Sequence, residues 1–270
     1  MRDIFDIKDR VVAVTGATGV LAGAGARYLA RCGAKVAFIG RSVEKLGAAQ
    51  KFCDENLLDG IAVQCDVLDA DAVVLAKNKI LEKWGRIDVL VNGAGGNRKG
   101  AVISPNQTLY DLDIPAWEDV LRLNLEGTLL PIKIFGGELE KSESGAIVNF
   151  SSMTAQQAVS RVLGYSNAKA GVDNLTRWLA VEFAKRGTRV RVNALAPGFF
   201  VSEQNRELLL NPDSTPTQRG RDIIAKTPMG RFGEADDIFG ALRFLCSDAS
   251  KFITGTVVAV DGGFSCFSGV

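Results

Sequence analysis

Short runs of β-branched and aliphatic residues alternate along this chain with longer amphipathic stretches, and that alternation restricts the fold more than any other feature. Arg10–Thr15, Lys35–Ile39, Ile61–Cys65 and Ile87–Asn92 read as strands, because short apolar runs bounded by turn residues suit strands buried on both faces. Strands Ala146–Ser151, Arg189–Leu195 and Thr256–Val260 follow, with a helix around Trp117–Lys141 and another from about Gly164 to Arg186. A helix between two strands returns the chain to the same edge of the sheet, so successive strands pair in parallel. The rhythm predicts an α/β architecture with a parallel sheet of seven strands. Pro131, inside the predicted Trp117–Lys141 helix, should kink or break it.

No linker or shift of composition divides the 270 residues, so one domain over 1–270 is expected. Its long irregular stretches, 93–115 and 199–228, leave the carboxyl ends of strands and would wall a ligand crevice.

Composition removes several classes of function. With 32 Lys and Arg against 31 Asp and Glu, the net charge of +1 offers no basic face for nucleic acid or an anionic membrane. The chain contains no histidine, which rules out Ser-His-Asp and Cys-His catalysis and most metal-hydrolase chemistry. No metal site is expected. The five cysteines form no CxxC pair and read as free thiols of a reducing compartment. Neither an uninterrupted apolar leader nor a membrane-length apolar run is present, which points to a soluble cytoplasmic protein.

The first strand runs into Thr15-Gly16-Ala17-Thr18-Gly19-Val20-Leu21-Ala22-Gly23 and then a helix. A glycine-rich strand-to-helix turn lets backbone N–H groups at a helix N-terminus meet a pyrophosphate. Gly16, Thr18, Gly19, Val20 and Leu21 are therefore candidate dinucleotide-binding residues. Asp66 could accept from an adenine amino group, and Asn92, Gly93 and Ala94 place small residues at the end of the fourth strand. After the second strand, no acid stands ready for the ribose hydroxyls of NAD; Arg41 and Ser42 suit a 2′-phosphate and so favour NADP.

Tyr165 and Lys169 are four residues apart and share a helix face. Lowering a tyrosine pKa from ~10 to about 7 takes roughly 4 kcal/mol. A Lys ammonium on that face, with the positive ring of an oxidised nicotinamide, can supply it. Ser152, at the end of its strand, could hydrogen-bond the reacting oxygen, and Asn124 could hold a water that relays protons from Lys169. Without histidine, these groups are the leading proton-transfer device available.

Taken together, TGATGVLA, Cys65-Asp66-Val67, Asn92-Gly93-Ala94-Gly95, Asn124, Ser152, the YxxxK of Tyr165 to Lys169, and Asn193-Ala194-Leu195-Ala196-Pro197-Gly198 resemble the short-chain dehydrogenases/reductases over essentially the whole sequence. The resemblance implies a Rossmann-like three-layer α/β/α sandwich of strand order 3-2-1-4-5-6-7, NAD or NADP as cofactor, usually a homotetramer, and Asn124, Ser152, Tyr165 and Lys169 as catalytic tetrad. It adds Val67, Pro197, Gly198 and Ser202 to the cofactor side, Ser202 standing where a Thr often touches the nicotinamide amide. Two departures stand out: Val20 and Ala22 occupy the second and third glycines of the family's TGxxxGxG, and Gly93 replaces a common Asn.

Residues 93–97, the segment Ala196–Arg206, the Thr227–Gly233 stretch and the terminus from Asp261 are similar to the D-mannonate oxidoreductases, or fructuronate reductases, of this short-chain family. That group commonly uses NAD. A hexonate needs a cation for its carboxylate and polar groups for its hydroxyls. Asn97, Ser152, Arg161, Gln204, Asn205 and Arg206 are candidates to bind it, with Arg161 as carboxylate clamp and Arg206 second. A reductase of another carbonyl, such as a gluconate-type keto acid or a 3-oxoacyl thioester, and a silent nucleotide-binding regulator are the alternatives.

Overall fold

The computed structural model describes residues 3–202 and 205–269. In chain order the elements are β1 (Val11–Thr15), α1 (Val20–Arg31), β2 (Lys35–Gly40), α2 (Val43–Glu55), β3 (Gly60–Gln64), α3 (Ala70–Trp84), β4 (Val89–Asn92), α4 (Ile114–Leu121) and α5 (Gly127–Leu139). There follow β5 (Ala146–Phe150), α6 (Leu163–Lys185), β6 (Arg191–Pro197), α7 (Arg206–Leu209), α8 (Gln218–Lys226), α9 (Phe239–Cys246) and β7 (Val257–Val260).

All seven strands pair in parallel in the order β3-β2-β1-β4-β5-β6-β7. Side-chain parity divides the core. Val12 and Val14 of β1 join α1, α2 and α9 on one face, through Leu29, Leu46 and Leu242. Val11 and Ala13 join α3, α5 and α6 on the other, through Ile80, Phe135 and Phe183. Because both faces are covered, the strands are apolar throughout rather than alternating. This is a Rossmann-like three-layer sandwich, and the reversal of strand order between β1 and β4 opens its crevice at the strands' carboxyl ends.

Two expectations need correction. Pro131 lies buried inside α5 without ending it. Its missing N–H would have met the carbonyl of Gly127, just after a five-residue π segment, Arg122–Glu126, where the hydrogen-bond ladder has already slipped by a residue. The stretch 199–228 is not irregular: it holds α7 and the nine-residue α8, which polar residues at 211–218 obscure in the sequence. Strand β6 starts two residues later than expected, a shift that leaves each side chain on its own face. No helix among the described residues is long and apolar enough to cross a membrane.

Candidate active site

Gly16 turns the chain out of β1 with φ +66°, a conformation that glycine adopts without penalty. Gly19 caps α1 with no side-chain hydrogen bond, and no acid stands in the first turn, so among the described residues no side chain of the cap or first turn competes with an anion for the first N–H groups of α1. Gly16, Thr18, Gly19, Val20 and Leu21 line a cavity of about 970 Å³ with Arg41, Ser42, Val67, Gly93, Ala94, Pro197, Gly198 and Ser202. Ser42 also caps α2, accepting from Lys45 N at 3.3 Å.

Two candidates stand behind the wall rather than on it. Asp66 accepts from Leu68 N at 3.0 Å and lies 3.8 Å from Arg41. Asn92 is buried; its amide donates to Asn149 Oδ1 at 2.9 Å, and Asn149 donates in turn to Thr176 Oγ1 at 2.9 Å, tying β4 through β5 to α6. The wall includes Gly95, as the glycine-rich end of the fourth strand suggested, and Arg27 and Lys45, which sequence reasoning missed. The two cations project from helices and belong to no motif.

Ser152, Tyr165 and Lys169 open into the same cavity. The Ser152 hydroxyl is hydrogen-bonded to the Tyr165 phenol, and this opposes the effect of burial, which pushes the phenol above 10.0. Lys169 lies on the same face of α6. Its ammonium sits 5.5 Å from the Tyr165 ring centroid and donates to the Phe150 carbonyl at 2.7 Å. Burial lowers Lys169 from 10.5 to about 8, against the opposing charge of Asp173. Asp173 is itself buried and hydrogen-bonded by Ser151.

The low Lys169 pKa has a thermodynamic consequence. Between pH 8 and 10 the Lys169 amine binds more protons in the unfolded chain than in the folded one, so this group's contribution to stability rises with pH. A shift from 10.5 to about 8 corresponds to about 3 kcal/mol of penalty, fully present below pH 8. The buried thiols of Cys53, Cys65 and Cys246, which burial holds above their ordinary 9.0, act in the opposite sense from about pH 9, and the Tyr165 phenol joins them above pH 10. Urea denaturation at several pH values should therefore show Lys169→Met losing its stability advantage over the wild type as pH rises from 8 to 10; a constant difference would contradict it.

Asn124 sits in the π segment, completely buried, and does not line the cavity. Its amide donates to Gly96 O at 2.7 Å and Val120 O at 2.8 Å, while its Oδ1 accepts from Gly96 N at 3.1 Å. These bonds commit its side chain to the Gly95–Gly96 turn. A Cβ on Gly95 would lie 2.6 Å from Asn124 Oδ1 and 3.3 Å from Lys169 Nζ, so only glycine lets the turn pass between them.

On the substrate side, Asn97 and Asn205 reach the cavity, although Asn205 is engaged by Ser202 N at 2.7 Å and Phe200 O at 2.9 Å. Arg206 does not reach it. It is exposed and donates to Ser214 Oγ at 2.9 Å, since α7 turns its side chain away. Arg161 lies outside the lining, in a left-handed conformation with φ +77°, and Gln204 falls outside the described residues. Arg219 of α8, absent from the expected set, is on the wall. No cluster of metal-ligating side chains occurs among the described residues.

A family model described as enoyl-(acyl carrier protein) reductase matches residues 16–265. The chain belongs to the short-chain dehydrogenase/reductase family. It is 43% identical over 274 residues to the uncharacterized oxidoreductase UxuB of Bacillus subtilis, covering 98% of each chain. It is similar to the crystal structure of a candidate D-mannonate oxidoreductase from Haemophilus influenza with bound NAD, at TM-score 0.91 and 37% identity, over 99% of this chain and 100% of that one. A gluconate 5-dehydrogenase from Burkholderia cenocepacia, in complex with NADP and tartrate, matches at TM-score 0.87 and 30% identity over 98% of both chains. This short-chain dehydrogenase/reductase is thus an oxidoreductase of alcohol or carbonyl groups.

The departures from the family's glycine pattern are linked in space. A Cβ on Gly93 would lie 2.4 Å from the Ala22 methyl and 2.9 Å from Thr15 O. Ala22, in the place of a family glycine, thus fills the space that a side chain at 93 would occupy. Gly23, whose Cβ would lie 2.6 Å from Ala17 O, keeps the close approach of α1 to the turn.

Proposed function

We propose that this protein interconverts D-fructuronate and D-mannonate with a nicotinamide dinucleotide as hydride carrier. The observation that carries the reaction class is that Ser152, Tyr165 and Lys169 face one cavity together with the Gly16–Leu21 turn. For the substrate, support comes from the full-length likeness to the Haemophilus protein.

The cradle fits a dinucleotide: Gly16 brings the turn against Gly93 and Ala94 with no room for a side chain, and the start of α1 is free of acids. When bound, NAD or NADP supplies or accepts hydride at the substrate carbon. In reduction, Tyr165 gives its phenolic proton to the carbonyl oxygen while Ser152 donates a hydrogen bond to that oxygen; in oxidation, Tyr165 takes the proton back. Lys169 presents its charge on the tyrosine's face and favours the phenolate. Arg27, Arg41 and Lys45 would receive a 2′-phosphate, whereas the bound NAD of the Haemophilus structure favours the other cofactor.

A turnover assay with D-fructuronate and D-mannonate, using each cofactor separately, tests the reading. Formation or consumption of NADH or NADPH with this pair is expected. Its absence, with reduction of 5-ketogluconate instead, would move the assignment to a gluconate-type dehydrogenase, a reading that the Burkholderia structure favours. The enzyme is also inferred to be a homotetramer, because Trp178 and Val181 of α6 and Leu129 of α5 are exposed apolar residues that another copy would cover. Light scattering of the purified protein checks this, and a monomeric mass would overturn it.

A further inference from the structure

The cavity wall carries Arg27, Arg41, Lys45, Lys169 and Arg219 and, among the described residues, no carboxylate. The first three belong to the α1–α2 side, and Lys169 is engaged by the Phe150 carbonyl and the nearby charge of Asp173. Among the described residues Arg219 forms no ion pair. It is the second residue of α8, half-buried, and it reaches across to the loop that leads into α6. There it donates to Ser160 Oγ at 3.2 Å and Ser160 O at 3.3 Å, both neutral acceptors. The acid whose charge reaches it, Asp222, accepts from Gln218 Nε2 at 2.7 Å.

A second cation, off the cavity wall itself, adjoins this contact. Arg161 follows Ser160 directly; its backbone is pinned with φ +77° by a hydrogen bond from Ile103 N to its carbonyl, at 3.0 Å. Its charge, after burial, lowers the pKa of Arg219. Two guanidinium charges near enough for one to lower the pKa of the other repel each other, and an anion bound at Arg219 offsets that cost.

We propose that Arg219, assisted by Arg161, binds the substrate's carboxylate and so restricts the enzyme to anionic carbonyl compounds. This rests on the sugar-acid reading above and names the residue that enforces it. In fructuronate the ketone and the carboxylate lie towards opposite ends of the carbon chain, so a carboxylate held from α8 leaves the ketone free to reach Ser152 and Tyr165. The planar fork of Arg219 suits a carboxylate better than the point charge of a lysine would.

The test compares wild type, Arg219→Gln and Arg219→Lys on D-fructuronate, 5-ketogluconate and the neutral ketose D-fructose. Gln keeps a donor for Ser160 without the charge, and the KM of the nucleotide reports an intact fold. Arg219→Gln is expected to raise the KM of the accepted keto acid roughly 10- to 100-fold. Nucleotide KM and any fructose turnover should stay within about twofold of wild type, with Arg219→Lys in between. If wild type accepts 5-ketogluconate and rejects fructuronate, the mannonate reading fails while the role of Arg219 is read on the accepted acid. An unchanged preference for keto acid over fructose in Arg219→Gln would overturn the proposal and leave the substrate reading standing. A wild type that prefers the neutral ketose would overturn both.

Discussion

Tyr165→Phe should lower turnover by about 10² to 10⁴-fold, the usual contribution of a positioned general acid or base, with nucleotide affinity and thermal stability little changed. The substitution removes one oxygen and keeps the ring that Lys169 packs over at 5.5 Å. Ser152 retains its hydrogen bond from Thr154 N at 3.2 Å, so the loop it caps need not move. The phenylalanine ring also escapes the burial of a phenol. Steady-state kinetics and nucleotide titration on the same preparation separate chemistry from binding. Normal turnover in Tyr165→Phe would show the Ser152–Tyr165–Lys169 set to be idle, whereas a silent nucleotide-binding regulator would show no turnover in the wild type either.

Gly93→Asn, the residue common in the family, should destabilise this protein by about 1–3 kcal/mol through overpacking. The new Cβ would meet the Ala22 methyl at 2.4 Å, and a backbone-anchored methyl cannot swing aside. Ala22→Gly alone should cost about 1 kcal/mol, because α1 loses helix propensity. In the double variant the two losses should not add, since the glycine at 22 vacates the space needed at 93. Rescue should be partial, because Thr15 O remains 2.9 Å from that Cβ. Urea denaturation of all four proteins measures the coupling; additivity within about 0.5 kcal/mol would refute the linkage. This contact also explains why the two departures, unconnected in the sequence, occur together.

The candidate site was legible where chemistry follows local spacing. Tyr165 and Lys169 share a face because four residues make about one helical turn, and the Gly16–Gly19 turn announces itself by glycines between a strand and a helix. Arg219 was not legible. Its neighbours 211–218 are polar and its helix is short, so periodicity offers no signal, and its place on the wall depends on how α8 packs beside the 153–162 loop. Arg206 failed for the complementary reason: close to the motif in sequence, it is directed away by the single turn of α7. Asn124 was found, yet its partners were not, because the π segment that orients it has no sequence signature.

By itself, the sequence determined the succession of seven strands, the burial of both sheet faces and the exclusion of histidine chemistry, since these depend on composition and on local periodicity. Only the tertiary structure decided which cations face the cavity, that Asn124 braces the Gly95–Gly96 turn, and that Ala22 and Gly93 share one space. Those facts are set by distances between segments far apart in the sequence, where packing at close range leaves room for one methyl or one side chain but not both.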